Sequence, residues 1–167
     1  MDLDGKHVVI TGGSAGIGAG LAHEFAERGA RVLVAARSEA KLREVADRVV
    51  GDHIVADLSV SDDVDAFIPR CLEMLGHIDI LVNNAGITHK IAIESETLNM
   101  FEETMEVNTT AIWHLCKLAG ENMVANRSGT IVNVASILGM IAGTPIKQAN
   151  YAASKGAVIA LSREIAV

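Results

Sequence analysis

Five short apolar runs punctuate the chain: His7–Thr11, Val32–Ala36, His53–Ala56, Ile78–Val82 and Thr130–Ala135. Each is continuously hydrophobic rather than alternating, the pattern of strands in a parallel sheet covered on both faces. Between them, apolar residues recur at helical spacing. Ile17, Leu21, Ala22, Phe25 and Ala26 form one face, and Gly29 after Arg28 supplies a stop. Ser38 is placed to cap a helix through Val49, with Leu42, Val45 and Ala46 facing inward. Ser61, Asp62 and Asp63 open a helix to about Leu75. A long helical stretch covers about Thr97–Asn126, and a last helix runs from about Asn150 to Val167.

Strand–helix alternation with short connections builds right-handed βαβ units. The expected fold is α/β, a doubly wound Rossmann-type parallel sheet, with residues 1–167 as a single dinucleotide-binding domain. In such sheets ligands bind beyond the carboxyl ends of the strands. Gly12–Gly18, Arg37, Asp57, Asn83–Gly86 and Ser136 fall at those ends.

The turn Thr11-Gly12-Gly13-Ser14-Ala15-Gly16-Ile17-Gly18 joins the first strand to the first helix. Gly12 permits a tight turn, Gly16 leaves room for a pyrophosphate, and Gly18 lets the helix pack closely. The free amides and dipole of the helix start favour a phosphate. A glycine-rich βα turn with no ligand is the plain alternative. A P-loop is excluded, because no Lys-Ser/Thr follows the glycines.

Composition narrows the partners. Lys and Arg number 14 against 21 Asp and Glu, a net charge of −7. That balance argues against nucleic acid and against anionic membranes. Five aromatic residues are too few for a base-stacking platform. Cys71 and Cys116 lie on expected helices and fit small core residues. The six histidines show no metal-ligand spacing, so no metal is expected. The polar start, Met1-Asp2-Leu3-Asp4, is unlike a signal peptide, and cytoplasm is the expected location. Charge-free Gly129–Ile146 contains Pro145 and three glycines, and is expected to be a buried strand plus a loop, not a membrane span.

Tyr151-Ala152-Ala153-Ser154-Lys155 places a phenol and an ammonium on one helical face. A tyrosine's free pKa is about 10, so acid–base work near neutrality needs the phenolate favoured, and a nearby lysine does this. Tyr151 is the only tyrosine. Ser136 follows the fifth strand, where it could hold a substrate oxygen or simply cap local backbone. Asn108, Thr109 and Thr110 are poor helix formers inside the long helix. They point either to a backbone irregularity with a role or to a solvated polar face.

These motifs in this order resemble the short-chain dehydrogenase/reductase family, in its single-domain, 3-oxoacyl-reductase-like form. The resemblance rests on residues 11–18, Asp57-Leu58, Asn83-Asn84-Ala85-Gly86, Asn108, Ser136, Tyr151 and Lys155, and covers the whole chain. It implies hydride transfer between a nicotinamide cofactor and a secondary alcohol or ketone. Tyr151 would be the general acid or base. Lys155 would lower its pKa and bind the nicotinamide ribose. Ser136 would hold the carbonyl oxygen, and Asn108 a water relaying protons from Lys155. Gly12, Ser14, Gly16, Ile17 and Gly18 would bind the pyrophosphate region. Asp57 and Leu58 would meet the adenine, and Asn84, Ala85 and Gly86 would line the groove. NAD-preferring relatives carry an acid at the end of the second strand. Here Ala36 and Arg37 stand there, so NADP(H) is expected over NAD(H).

Two departures qualify the resemblance. The Ser136–Tyr151 interval, containing Pro145-Ile146-Lys147, is about two residues longer than the common pattern. Family members also continue past this last helix with two strands, further helices, a Pro-Gly turn beside the nicotinamide and a substrate lid. The domain is therefore expected to be incomplete. Its fifth strand would be an unpaired edge, and Val158, Ile159, Leu161 and Ile165 would be partly uncovered. Such a chain would be a homo-oligomer or prone to aggregate, with little activity of its own. A non-catalytic nucleotide-binding or assembly unit is the second reading. His89 fits a loop histidine better than a substrate contact.

Overall fold

The computed structural model describes residues 3–143 and 147–166. Five strands form one parallel sheet: β1 (His7–Thr11), β2 (Arg31–Ala36), β3 (Asp52–Val55), β4 (Ile80–Asn83) and β5 (Thr130–Asn133). Their order is β3-β2-β1-β4-β5. The chain winds outward from β1 to β3, crosses back to β4, and winds outward again. The reversal lies between β1 and β4, whose register pairs Val8 with Ile80 and Ile10 with Val82. A crevice opens at the carboxyl ends of this pair.

Continuous apolar strands bury both faces. Val8, Ile10, Val32, Val34, Ile80 and Val82 point to one side and meet Ala22 of α1 (Gly16–Glu27) and Leu42, Val45 and Ala46 of α2 (Glu39–Val49). Val9, Leu33, Ala35, Ile54 and Leu81 point to the other. They meet Phe67, Ile68 and Cys71 of α3 (Ser61–Leu75) and Leu115 and Ala119 of α5 (Ala111–Ala125). The last helix, α6 (Ala149–Glu164), packs Val158 against Ile112 and Cys116 of α5.

The expected long helix is interrupted. Leu98–Met105 forms α4, and Glu106–Thr110 then widens into a π turn before α5. The amide of Ala111 reaches five residues back to the carbonyl of Glu106. The irregularity falls on Asn108-Thr109-Thr110, and Asn108 is fully buried, so it is not part of a solvated face.

Several expectations are corrected. Ser38 occupies the N-cap of α2 but makes no side-chain capping bond, whereas α3 opens at Ser61 as expected, with Val60 in the N-cap position. Asp63 instead turns back to accept from the amide of Asp57 at 2.7 Å. Val158 is fully buried, because its side of α6 faces α5 rather than solvent; Ile165 remains exposed. The charge-free stretch after Gly129 is a strand and a loop, as expected, but not a buried one. Val132 is 43% exposed, and Ile137, Met140 and Ile141 are exposed as well. Val132 is paired with Val82 and shares its sheet face, but Val82 is buried in the cluster under α1 and α2 whereas Val132, on the edge strand, is not part of it. Of the longer Ser136–Tyr151 interval, Pro145 and Ile146 lie outside the described residues.

Glycine is required where the first turn folds under β4. Gly12 has φ +67°, and a Cβ there would meet Ala85 at 2.8 Å. A Cβ on Gly18 would come within 2.3 Å of the Gly12 carbonyl oxygen, whereas Gly20, two residues on and on another face of the helix, faces open space. Gly18→Ala should therefore destabilise the fold by roughly 1–3 kcal/mol through overpacking. Gly20→Ala should stabilise it by up to about 1 kcal/mol through helix propensity. Urea unfolding of the two variants checks the pair, and equal midpoints would refute the close approach.

Candidate nucleotide cleft and proton-transfer site

The glycine turn is tied to the end of β4 by side chains. The buried Thr11 hydroxyl donates to the Val82 carbonyl at 3.4 Å. Its oxygen accepts from the amides of Asn84 and Ala85, each at 3.1 Å. The Asn84 side-chain amide donates to the carbonyls of Thr11 and Gly12 at 3.0 and 3.2 Å. Gly18 closes against the same two groups, Gly12 and Asn84, rather than against the sheet itself. Gly16 has φ +53° and an empty Cβ position. No side chain caps the first turn of α1, so its amides face outward unpaired by any cap. Ile17 stands 65% exposed on that turn.

A cleft of about 270 Å³ opens beside this turn. Gly12 and Ser14 line it from β1, Ala36, Arg37, Ser38 and Lys41 from β2 and α2, and Asp57 and Leu58 from beyond β3. Ala85, Gly86 and Ile87 line it from beyond β4, and Val107 from the π turn. Arg37 and Lys41 make one end cationic. Arg37 stands 4.0 Å from the Asp57 carboxylate and is itself well exposed, so this ion pair holds it only weakly. Partial burial pushes the Asp57 carboxyl up. The Ser59 amide and hydroxyl, at 3.0 and 2.7 Å, and the Arg37 charge outweigh that and hold it below the usual carboxylate range. The uncapped helix start, the open Gly16, two cations and apolar walls together fit a phosphorylated dinucleotide.

The candidate proton-transfer residues lie beside the far end of the cleft, joined to it through Gly86. A Cβ on Gly86 would sit 3.2 Å from Asn108 Oδ1 and 3.6 Å from Lys155 Nζ. Lys155 is buried, donates to the Val134 carbonyl at 2.6 Å, and its ammonium lies 5.7 Å from the centre of the Tyr151 ring. Burial pushes Lys155 below the ordinary lysine range, with no carboxylate among the described residues to offset it. The chain thus holds a desolvated cation next to its single phenol.

Asn108 is a hub of the scaffold. Its Oδ1 accepts from the Ile87 amide at 2.8 Å. Its Nδ2 donates to the Ile87 carbonyl at 2.9 Å and to the Ser154 hydroxyl at 3.0 Å. Ser154 in turn donates to the Tyr151 carbonyl at 2.9 Å. The loop after β4, the π turn and the first turn of α6 are thereby locked together. Ser136 lies beyond β5 and accepts from the Leu138 amide at 3.2 Å, the local capping alternative. The short turn it caps, Ile137–Gly139, packs backbone to backbone on α6 at Lys155 and Gly156.

Some features escaped the sequence reading. Lys41, one turn into α2, faces the cleft beside Arg37; a helical count from Arg37 would have suggested it. Thr11 and the Asn84 side chain act through contacts across more than seventy residues, and no local pattern reveals them. The same holds for His7, His77 and Asp79, which gather at the opposite end of the sheet, although no metal-ligand spacing marks them. His89 is a loop histidine paired with Glu103 at 3.2 Å, and its carbonyl receives the Asn150 side chain. Cys71 and Cys116 are buried free thiols, Cys71 with its pKa pushed up to about 12 by burial. Among the described residues, no helix is long and apolar enough to cross a membrane.

Comparison with known proteins agrees with this geometry. The short chain dehydrogenase family model matches residues 6–167. A 3-oxoacyl-[acyl-carrier-protein] reductase FabG of Vibrio cholerae is 36% identical over 99% of this chain and 68% of its own length. An oxidoreductase of Thermotoga maritima without a described reaction is 39% identical over 100% of this chain and 67% of its own length. A short-chain type dehydrogenase/reductase from Mycobacterium marinum superposes with a TM-score of 0.93 at 37% identity, covering 99% of this chain and 67% of that one. The chain thus spans about two thirds of the length of these relatives. With its doubly wound sheet, its glycine turn under β4 and its buried lysine beside a tyrosine, the chain belongs to the short-chain dehydrogenase family of oxidoreductases.

Proposed function

We propose that the chain binds NADP(H) in preference to NAD(H) and moves a proton at the oxygen of a secondary alcohol or ketone through Tyr151. The observation that carries this reading is Lys155, buried with no anionic partner among the described residues and 5.7 Å from the centre of the Tyr151 ring. When bound, the nicotinamide supplies or accepts the hydride. Gly12, Ser14, Gly16, Ile17 and Gly18 would hold its pyrophosphate against the uncapped start of α1. Asp57 and Leu58 would flank the adenine, and Asn84, Ala85 and Gly86 would form the wall leading to Lys155. Lys155 would favour the phenolate and touch the ribose, and Tyr151 would give the proton in reduction and take it in oxidation. Ser136 would release Leu138 to hold the carbonyl oxygen. The Asn108 side chain is committed to Ile87 and Ser154, so a relaying water would be held by the loosened backbone of the π turn. The Vibrio cholerae relative is named for a 3-oxoacyl substrate. That name supports a small carbonyl compound as the substrate class here.

Two sets of variants test this assignment. In the active enzyme, Tyr151→Phe should lower turnover by about 10²-fold or more with cofactor binding nearly intact, the scale of general acid–base catalysis. Lys155→Ala should weaken both. Full turnover in Tyr151→Phe would remove the phenol from the mechanism, and cofactor binding without hydride transfer to any carbonyl would favour a binding unit. Arg37→Ala and Lys41→Ala should each weaken NADPH by roughly 10–100-fold, the range for a charged hydrogen bond, and leave NADH almost unchanged. Equal losses for both nucleotides would refute the 2′-phosphate assignment.

The same chain is proposed to self-associate. Among the described strands β5 is an edge, Val132 on it is 43% exposed, and Trp113 and Ile165 add exposed apolar surface. Light scattering should report a mass above one chain, and a monomer at high concentration would exclude it.

A further inference from the structure

We propose that His7, His77 and Asp79 form a binding site for a divalent transition-metal ion, with zinc(II) the best match. The three residues meet at the amino ends of β1 and β4, the end of the sheet opposite the nucleotide cleft. One ligand atom from each, two imidazole nitrogens and a carboxylate oxygen, lies within 4.8 Å of the others. Two imidazoles and one carboxylate are the donor set that zinc uses when three protein ligands leave the fourth position to water.

The geometry is close to ready. His77 Nε2 stands 3.2 Å from Asp79 Oδ2. An ion with bonds of about 2.0–2.1 Å to both atoms would subtend an angle of about 100° there, near the tetrahedral value. His7 Nδ1 completes the set. It now lies 3.3 Å from the His77 carbonyl, and the two rings stand 4.3 Å apart at a 36° tilt. A modest rotation of either ring brings the third nitrogen in. The exposed ring of His77 leaves the remaining position open to water.

Asp79 is held as a ligand needs to be held. Its Oδ2 accepts from the His7 amide at 2.9 Å, and its Oδ1 accepts from Lys6 Nζ at 2.9 Å. Such outer contacts fix a carboxylate's direction and commonly accompany metal ligands. Lys6 is also a competitor, since its ammonium already neutralises the carboxylate. Its side chain is 41% exposed and free to swing into solvent. Bound metal would bridge the strand starts of β1 and β4, which are far apart in sequence, and so brace the central pair of the sheet.

The test is zinc(II) chloride titrated into tag-free protein by calorimetry, with melting followed in parallel. Wild type should bind one equivalent and melt higher. His77→Gln, an exposed change that leaves the core intact, should weaken binding by at least about 10-fold. Lys6→Gln should tighten it by removing the competing charge, and His23→Gln, on α1 away from the cluster, should change nothing. Cobalt(II) should give the visible absorption of a four-coordinate site in wild type and lose it in His77→Gln. NADPH affinity is the control and should not move with zinc. Equal zinc uptake by wild type and His77→Gln, or no stoichiometric uptake by wild type, would overturn the proposal.

Discussion

The segment Asn84–Ile87, just beyond β4, is the constraint on which the rest of the site depends. Asn84 holds the glycine turn by two of its carbonyls, Gly86 lets Asn108 and Lys155 approach, and Ile87 pairs with Asn108 through both its amide and its carbonyl. Four residues thus couple the candidate nucleotide cleft on one side to Lys155 and Asn108 on the other. The coupling is short-ranged and polar, inside an otherwise apolar sheet. A buried amide left unpaired costs about 1–3 kcal/mol, so each of these bonds also penalises any shift of its partner.

The position of this segment follows from topology. β4 is the strand to which the chain returns after winding out through β3, and it lies directly against β1. The loops leaving β1 and β4 must therefore diverge from adjacent strand ends, and the space between them is the crevice. Small residues keep it open. Gly12 and Gly18 bring backbone against Asn84 with no room for a Cβ, and Gly13 does the same against Val34 of β2. The glycines therefore set how close the turn sits as much as how sharply it bends.

What could be read from the sequence divides along the range of the interactions. The strands and helices were legible because their apolar periodicity is local, and strand boundaries moved by only a residue or two, at β2, β3, β4 and β5. Asn108-Thr109-Thr110 marked the place of the π turn, because three poor helix formers in a row carry a local cost, but left a solvated face as the alternative until the burial of Asn108 decided it. Contacts made across the fold were not legible. Thr11 is indistinguishable in sequence from an ordinary strand-end threonine, yet its hydroxyl receives two amides from the far side of the crevice. Val158 looked uncovered because its burial depends on α5, whose facing side no periodicity in α6 can announce. Histidines seventy residues apart converge only because β1 and β4 pair.

Lys155 shows how scaffold and chemistry meet. A lysine buried with one carbonyl partner is held in its less favoured charged form, and its lowered pKa records that cost. The carbonyl of Val134, just past β5, fixes where the ammonium points, and Asn108, through Ser154, fixes the helix turn that carries Tyr151. Any anion formed nearby, whether a phenolate or an oxygen developing charge, would recover part of the lost solvation. A solvated lysine would give less, since water would already have screened it. The burial that makes Lys155 costly to the fold is thus the property that would make it effective beside Tyr151, and it rests on the packing of α6 against α5 and the π turn rather than on the Tyr–Lys spacing alone.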